Sequence, residues 1–241
     1  MTVRLPTPYL NLTNGGPWPL DESSIHYVIR VRRLQDGSTL IAFDGQGREI
    51  DVKLTLMDGQ WSLVRLGPVR SGQLGAPLTV YYGLPKGEKI DRVTRQLTEL
   101  GVYRLVPLLT TLSVVRLAEE RRRKKHSRLC RIASEAARQC GRSDVMQIDP
   151  PMTVQEALRG IPTDETVILF DPDVETRIDG IKLGASMSAF IGPESGFSTS
   201  ERQEIMSLDG AQRISLGSLT LRTETAAPVC AALLLYRMGY L

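Results

Sequence analysis

Through much of the first seventy residues, apolar and polar positions alternate. Ser38 to Phe43, Glu49 to Met57 and Trp61 to Leu66 are β-rich or alternating runs, the signature of half-buried strands, and Asp44-Gly45-Gln46-Gly47 and Asp58-Gly59 separate them. Asp-Gly between such runs predicts tight hairpins, hence a small antiparallel sheet or barrel. One short helix interrupts the pattern, with Asp21 or Ser23 as its cap and His26, Tyr27, Ile29 and Val31 within it. Pro68 to Pro77, containing Ser71, Gly72 and Gly75, reads as a linker.

After Pro77 the period changes. Leu78 to Gly83 is a short apolar strand. Ile90, Val93, Leu97 and Leu100 then recur at helical spacing within Glu88 to Leu100, and Gly101 is placed to stop that helix. Tyr103 to Leu109 returns to strand, and a long helix is predicted from about Ala118 to Cys140, with Leu129, Ile132, Ala133 and Ala136 on one face. Further helices are predicted near Val154 to Leu158, Glu201 to Leu208 and Thr223 to Met238, and strands at Thr166 to Phe170, Ser188 to Ile191 and Gln212 to Leu216. Strands alternating with helices imply a parallel sheet covered on both faces.

Composition narrows the chemistry. The longest nearly apolar run, Val229 to Tyr236, is far too short to span a membrane, and the first six residues lack the apolar core of a secretory signal. A cytoplasmic protein with no membrane partner is therefore expected. The three cysteines, Cys130, Cys140 and Cys230, lack metal-site spacing, and there are only two histidines, His26 and His126. No metal site and no imidazole chemistry is expected. The net charge is only +3, but Ser113 to Arg142 holds ten basic residues against three acidic ones. Such a block is the footprint of a polyanionic partner, or simply a solvated helix face.

The sequence contains no GxxxxGK[ST] and no early GxGxxG. Two glycine-bearing turns remain. Ile191-Gly192-Pro193-Glu194-Ser195-Gly196-Phe197 leaves a strand and enters a helix, whose start is marked by Ser198 and Glu201 at capping-box spacing. Leu216-Gly217-Ser218-Leu219-Thr220-Leu221-Arg222-Thr223-Glu224-Thr225-Ala226 also runs from strand to helix. In an open parallel sheet, ligands bind beyond the carboxyl ends of the strands, where both turns fall. Glu224 complements a helix dipole; Arg222 has no such reason to be there and is a candidate to hold an anion, a base or a carboxylate.

Together these turns resemble the ribosomal RNA small-subunit methyltransferase E family, bacterial enzymes of the SPOUT class. Residues along the chain keep the same order: Arg30, Val31, Arg33, Gly37 and Phe43-Asp44-Gly45; Lys86-Gly87-Glu88-Lys89; Thr98-Glu99-Leu100-Gly101-Val102; Ser113-Val114-Val115; then Glu135-Ala136, Gln139 and Arg142. Ser195 stands where the family usually has Gly, Leu112 where Arg is common and Arg138 where Glu is common. The resemblance implies a PUA-like RNA-binding antiparallel β-barrel over residues 1–70, a linker at 71–77, and a SPOUT α/β domain over 78–241 whose C-terminal stretch forms a trefoil knot. It implies S-adenosylmethionine as cofactor, a homodimer, and methylation of N3 of a uridine in the decoding region of 16S rRNA in the 30S subunit. The cofactor residues it implies are Leu169, Phe170, Ile191, Gly192, Pro193, Glu194, Gly196, Leu216, Leu221, Arg222, Thr223 and Glu224. Arg222, Glu194 and Glu224 are the catalytic candidates. Arg30, Arg32, Arg33, Lys86, Lys89, Arg121, Arg122, Arg123, Gln139 and Arg142 are offered to RNA. The competing readings are a SPOUT enzyme acting on another RNA or on a ribose 2'-hydroxyl, and a non-catalytic RNA-binding protein.

Overall fold

The alternating runs of the N-terminal region form the strands they predict. In this computed structural model, which describes residues 2–8, 10–12, 14–113 and 118–241, the first sheet comprises β1 (Arg4–Pro6), β2 (Trp18–Pro19), β3 (Thr39–Phe43), β4 (Arg48–Met57), β5 (Gln60–Arg65) and β6 (Arg70–Ser71). Their order is β1-β3-β4-β5-β2, with β6 also on β4. Alternation turns Ile50, Val52 and Leu54 of β4 inward against Leu5, Leu40 and Leu63. The sheet is mixed rather than antiparallel, because β1 pairs parallel to β3; three residues are too few for a period to be read. The short helix α1 (Glu22–Ile25) is capped by Asp21, which accepts from the Ser24 N–H at 2.7 Å. It widens into a π-helical turn, His26–Val31.

The stretch read as a linker carries structure. Arg70 of β6 pairs with Glu49 at 2.9 Å and with Asp51 at 2.6 Å. Glu49 is also reached by Arg4 at 2.7 Å and by the hydroxyl of Ser143. By contacts, the first unit is Met1–Leu74 together with Ala137–Val145, and the second is Gly75–Ala136 with Met146–Leu241. Residues 137–145 thus sit with the first unit, although the sequence reading assigned them to a domain spanning 78–241. A Cβ at Gly72 would overlap Ser143, so only glycine admits that segment.

The second unit is built on β7 (Ala76–Gly83), α2 (Lys89–Leu100), β8 (Val102–Leu109), α3 (Glu119–Cys140), β9 (Gln147–Ile148), β10 (Met152–Thr153), α4 (Val154–Leu158), β11 (Thr166–Phe170), β12 (Met187–Ile191), α5 (Thr199–Met206), β13 (Gln212–Ile214) and α6 (Thr223–Arg237), the end of α3 belonging to the first unit. Its sheet order is β10-β8-β7-β12-β11-β13, with β9 on β8, and every pairing is parallel. Gly101, at φ 93°, ends α2. On one face Tyr81 stacks on Phe190 with centroids 4.4 Å apart, and Phe197, Ile205 and Val154 close the cluster. From β10 at one edge the chain crosses to β11 and returns to β12 beside β7. This reversal of winding creates a crevice at the carboxyl ends of the central strands. Among the described residues no helix is long and apolar enough to cross a membrane, and no group of three or more metal-ligating side chains gathers.

Candidate functional site

Beyond the carboxyl ends of β11, β12 and β13 lies a cavity of about 430 Å3, within the roughly 300–1,000 Å3 typical of small-molecule sites. Three loops line it: Phe170-Asp171-Pro172 after β11, Ile191–Phe197 after β12, and Ser215–Thr223 after β13, with Lys89 from the start of α2. The loops come together because the parallel strands end side by side. Glycines let them approach. A Cβ at Gly192 would stand 3.1 Å from the Gly196 Cα, and Gly196 itself holds φ 70°. A Cβ at Gly83, the last residue of β7, would strike Pro193. The predicted capping box is present: Ser198 N–H donates to Glu201 at 2.8 Å, and the Ser198 hydroxyl accepts the Glu201 N–H at 3.3 Å. The buried Glu201 carboxylate also accepts from Thr111 N–H at 2.8 Å, fixing α5 to the turn after β8.

Ten of the twelve residues offered to a cofactor line this cavity: Phe170, Ile191, Gly192, Pro193, Glu194, Gly196, Leu216, Leu221, Arg222 and Thr223. Leu169 does not. Successive strand residues face opposite sides, and its side chain lies in the apolar cluster with Phe190 and Ile205. Glu224 stands behind the lining, its carboxylate 3.3 Å from Lys89 Nζ. Asp171 and Arg202 are cavity residues that the sequence reading missed. Asp171 is buried between Arg213 at 2.8 Å and Arg202 at 3.5 Å, and Arg202 donates to the Phe197 carbonyl at 3.2 Å. The available signal was position alone, since Asp171 immediately follows a parallel strand.

Four ionisable groups at or behind the cavity are displaced from their ordinary values. Burial raises the Glu194 carboxyl, but the hydrogen bond from Lys89 at 2.9 Å and its charge more than reverse this and hold it below the usual carboxylate range. Glu224 is held low by a backbone N–H, then by Lys89 and Arg222. Lys89 is raised in turn, chiefly by its hydrogen bond with Glu194. Burial pushes the Tyr82 phenol up.

The residues offered to RNA divide sharply. Arg30, Arg32, Arg33, Lys86, Arg121, Arg123 and Gln139 are exposed, and Arg122 is half-buried. Arg142 is 3% exposed, and its guanidinium forks onto Asp144 at 3.0 and 2.8 Å. It is a structural arginine of the first unit, with no face left for a phosphate. Lys89 is engaged by two carboxylates. Within the basic block, Arg123 pairs with Glu119, Lys124 with Glu120, and Arg128 with Glu88 and Asp91. Arg138 lies over the Tyr27 ring at 3.8 Å within the first unit, and Leu112 is exposed. Val114, Val115 and Arg116 lie outside the described residues.

A family model described as an RNA methyltransferase domain matches residues 73–235, and one described as an RNA methyltransferase PUA domain matches residues 20–60. The ribosomal RNA small subunit methyltransferase E of Synechocystis is 31% identical over 223 residues, covering 88% of this chain and 71% of that protein. Its Bacillus subtilis counterpart is 28% identical, covering 84% and 83%. A solved Legionella pneumophila methyltransferase, in complex with bound S-adenosylmethionine, superposes with a TM-score of 0.85 over 98% of both chains at 26% identity. A cavity at the carboxyl ends of a parallel sheet, the two matched domains and these relatives agree: the chain belongs to the ribosomal RNA small subunit methyltransferase E family.

Proposed function

We propose that this chain transfers the methyl group of S-adenosylmethionine to N3 of a uridine in the decoding region of 16S rRNA. The observation that carries this reading is the cavity, in which ten of the residues offered to the cofactor meet around two glycine turns. The lining fits that cofactor: apolar Phe170, Ile191 and Leu216 can cover an adenine, while Glu194, Arg202 and Arg222 can meet its charged end. When bound, S-adenosylmethionine supplies an electrophilic methyl group on a sulfonium.

The protein's own part is orientation and charge. N3 of uracil must lose its proton before it is a nucleophile. Glu194 and Glu224 are held low and are poor proton acceptors near neutrality, whereas Lys89 is held high. This set favours stabilising the uracil anion over abstracting its proton. Arg222 is suited to that role: it lines the cavity, is exposed, and makes no side-chain hydrogen bond among the described residues. The rate should accordingly rise with pH from neutrality as the imide ionises.

The first unit, the exposed Arg121 and Arg123 and the half-buried Arg122 on α3 are assigned to RNA, together with Arg30, Arg32, Arg33, Lys86 and Gln139. The trefoil knot, the homodimer and a cytoplasmic location follow from the family resemblance. Tyr236, Tyr240 and Leu241, exposed at and beyond the end of α6, support a dimer contact, and sedimentation as a 26.7 kDa monomer at micromolar concentration would refute it. Mass spectrometry of nucleosides from treated 30S subunits tests the reaction, with N3-methyluridine as the expected product. A 2'-O-methyl product, or none, overturns the assignment.

A further inference from the structure

We infer that Lys89 is a positioning residue of the transfer site, a single ammonium that holds two carboxylates from two separate segments in place and in the same charge state. The inference rests on the reading that the cavity takes S-adenosylmethionine.

The geometry is a convergence of three elements. Lys89 opens α2, Glu194 sits in the loop leaving β12, and Glu224 lies in the first turn of α6. Nζ stands 2.9 Å from Glu194 and 3.3 Å from Glu224. No local helical spacing produces this arrangement, since 105 residues separate Lys89 from Glu194. Both segments that carry the carboxylates contribute residues to the cavity, so the lysine ties its two walls together. Engaging an RNA phosphate would require Lys89 to give up these pairs, and this moves it from the RNA contacts to the cofactor site.

One cation between two anions leaves the trio with one negative charge in excess. That excess suits a ligand bearing a sulfonium. Without Lys89 the two carboxylates, each within 3.3 Å of the same Nζ, would have no cation between them, and their mutual repulsion would make one of them easier to protonate. The other charged or titratable groups that act on the two carboxylates are Tyr82 on β7 and Arg222 at the start of α6, while Lys86 reaches Glu194 through its backbone N–H and the neighbouring Glu88 is paired with Arg128. No histidine is among them.

The alternative is that the pairs are ordinary surface ion pairs with little consequence. Calorimetric titration of S-adenosylmethionine into the full chain between pH 5 and 7 separates the two, with thermal midpoints as the check on folding. Wild-type affinity should change by less than about twofold across this range. Lys89→Met should lose about tenfold in affinity from pH 7 to pH 5, as one carboxylate takes up a proton. Lys89→Arg should restore the flat profile, and so should Glu194→Gln placed in the Lys89→Met background, because the repelling partner is then gone. A Lys89→Met profile parallel to wild type, or a double variant as steep as the single one, overturns the inference. If wild type binds no S-adenosylmethionine at any pH, the cavity assignment itself fails and the role of Lys89 falls with it.

Discussion

Two clusters of carboxylates and cations in this molecule are built from the same chemistry and behave in opposite ways. Around Glu49, two arginines meet two acids and the charges balance; the central Arg4 and Glu49 are each 11% exposed, with Arg70 and Asp51 at the rim at 38% and 52%. Around Lys89, one cation meets two acids, the charges do not balance, and Lys89 and Glu194 are 37% and 40% exposed. The first cluster joins β1, β4, β6 and the segment carrying Ser143. The second stands at a cavity that Lys89 and Glu194 line. Counting ion pairs does not distinguish them. Burial of the central pair and leftover charge do, because a buried, balanced pair can only hold structure, whereas an open, unbalanced cluster attracts a charged ligand.

The comparison is broken most severely at Glu49. Glu49→Ala leaves Arg4 without its carboxylate partner and should destabilise the first unit by about 3 kcal/mol, read by urea unfolding. Glu224→Ala should leave the unfolding midpoint nearly unchanged. Equal losses would mean that the two clusters do not differ as described.

Gly196→Val should come next, lowering affinity for S-adenosylmethionine by tenfold or more in calorimetry. Its positive φ is strained for any side chain, and a branched one more so. The far-UV spectrum should stay unchanged.

Acid sharpens the contrast. Burial raises the Glu49 carboxyl, but Ser143, Arg4 and Arg70 hold it below its ordinary value. A depressed carboxyl stabilises the fold above its unfolded pKa of about 4.3, and that stability drains away as pH falls through the folded value. Unfolding free energy measured from pH 6 to pH 3 should therefore fall less in Glu49→Gln than in wild type.

The smallest expected effect is on RNA. Replacing Arg121, Arg122 and Arg123 by Glu should flatten the log-salt dependence of binding to 30S subunits, by roughly 0.7–0.9 for each phosphate no longer neutralised. Affinity for S-adenosylmethionine should hardly move. Arg142→Met should leave the salt slope alone and lower stability instead.

Much of this was legible because most elements are longer than the period they express. The strand at Thr166–Phe170, the cap at Ser198 and the stop at Gly101 each follow from local chemistry. The two glycine turns were legible as a site because parallel strands deliver their ligand loops to one edge. What failed to show was whatever depends on partners far along the chain. Arg142 and Arg121 look alike as letters, and only the fold gives one of them Asp144 and burial. Lys89 reads as a phosphate ligand until two carboxylates more than a hundred residues away reach it. Two-residue strands such as β9 and β10 carry too few positions for any alternation.

The discontinuity of the first unit bears on how the chain comes into being. Its own strands are complete at Ser71, yet the hydroxyl that closes on Glu49 belongs to Ser143. At roughly 5–20 residues per second, a ribosome needs several seconds to deliver that residue after β6 has been made. Through that interval Glu49 awaits one of its partners, Gly47 and Gln73 await the Ser143 backbone, and β7, α2 and β8 can already begin to assemble. The N-terminal unit is thus the first to start folding, yet it cannot finish until part of the second unit has been made.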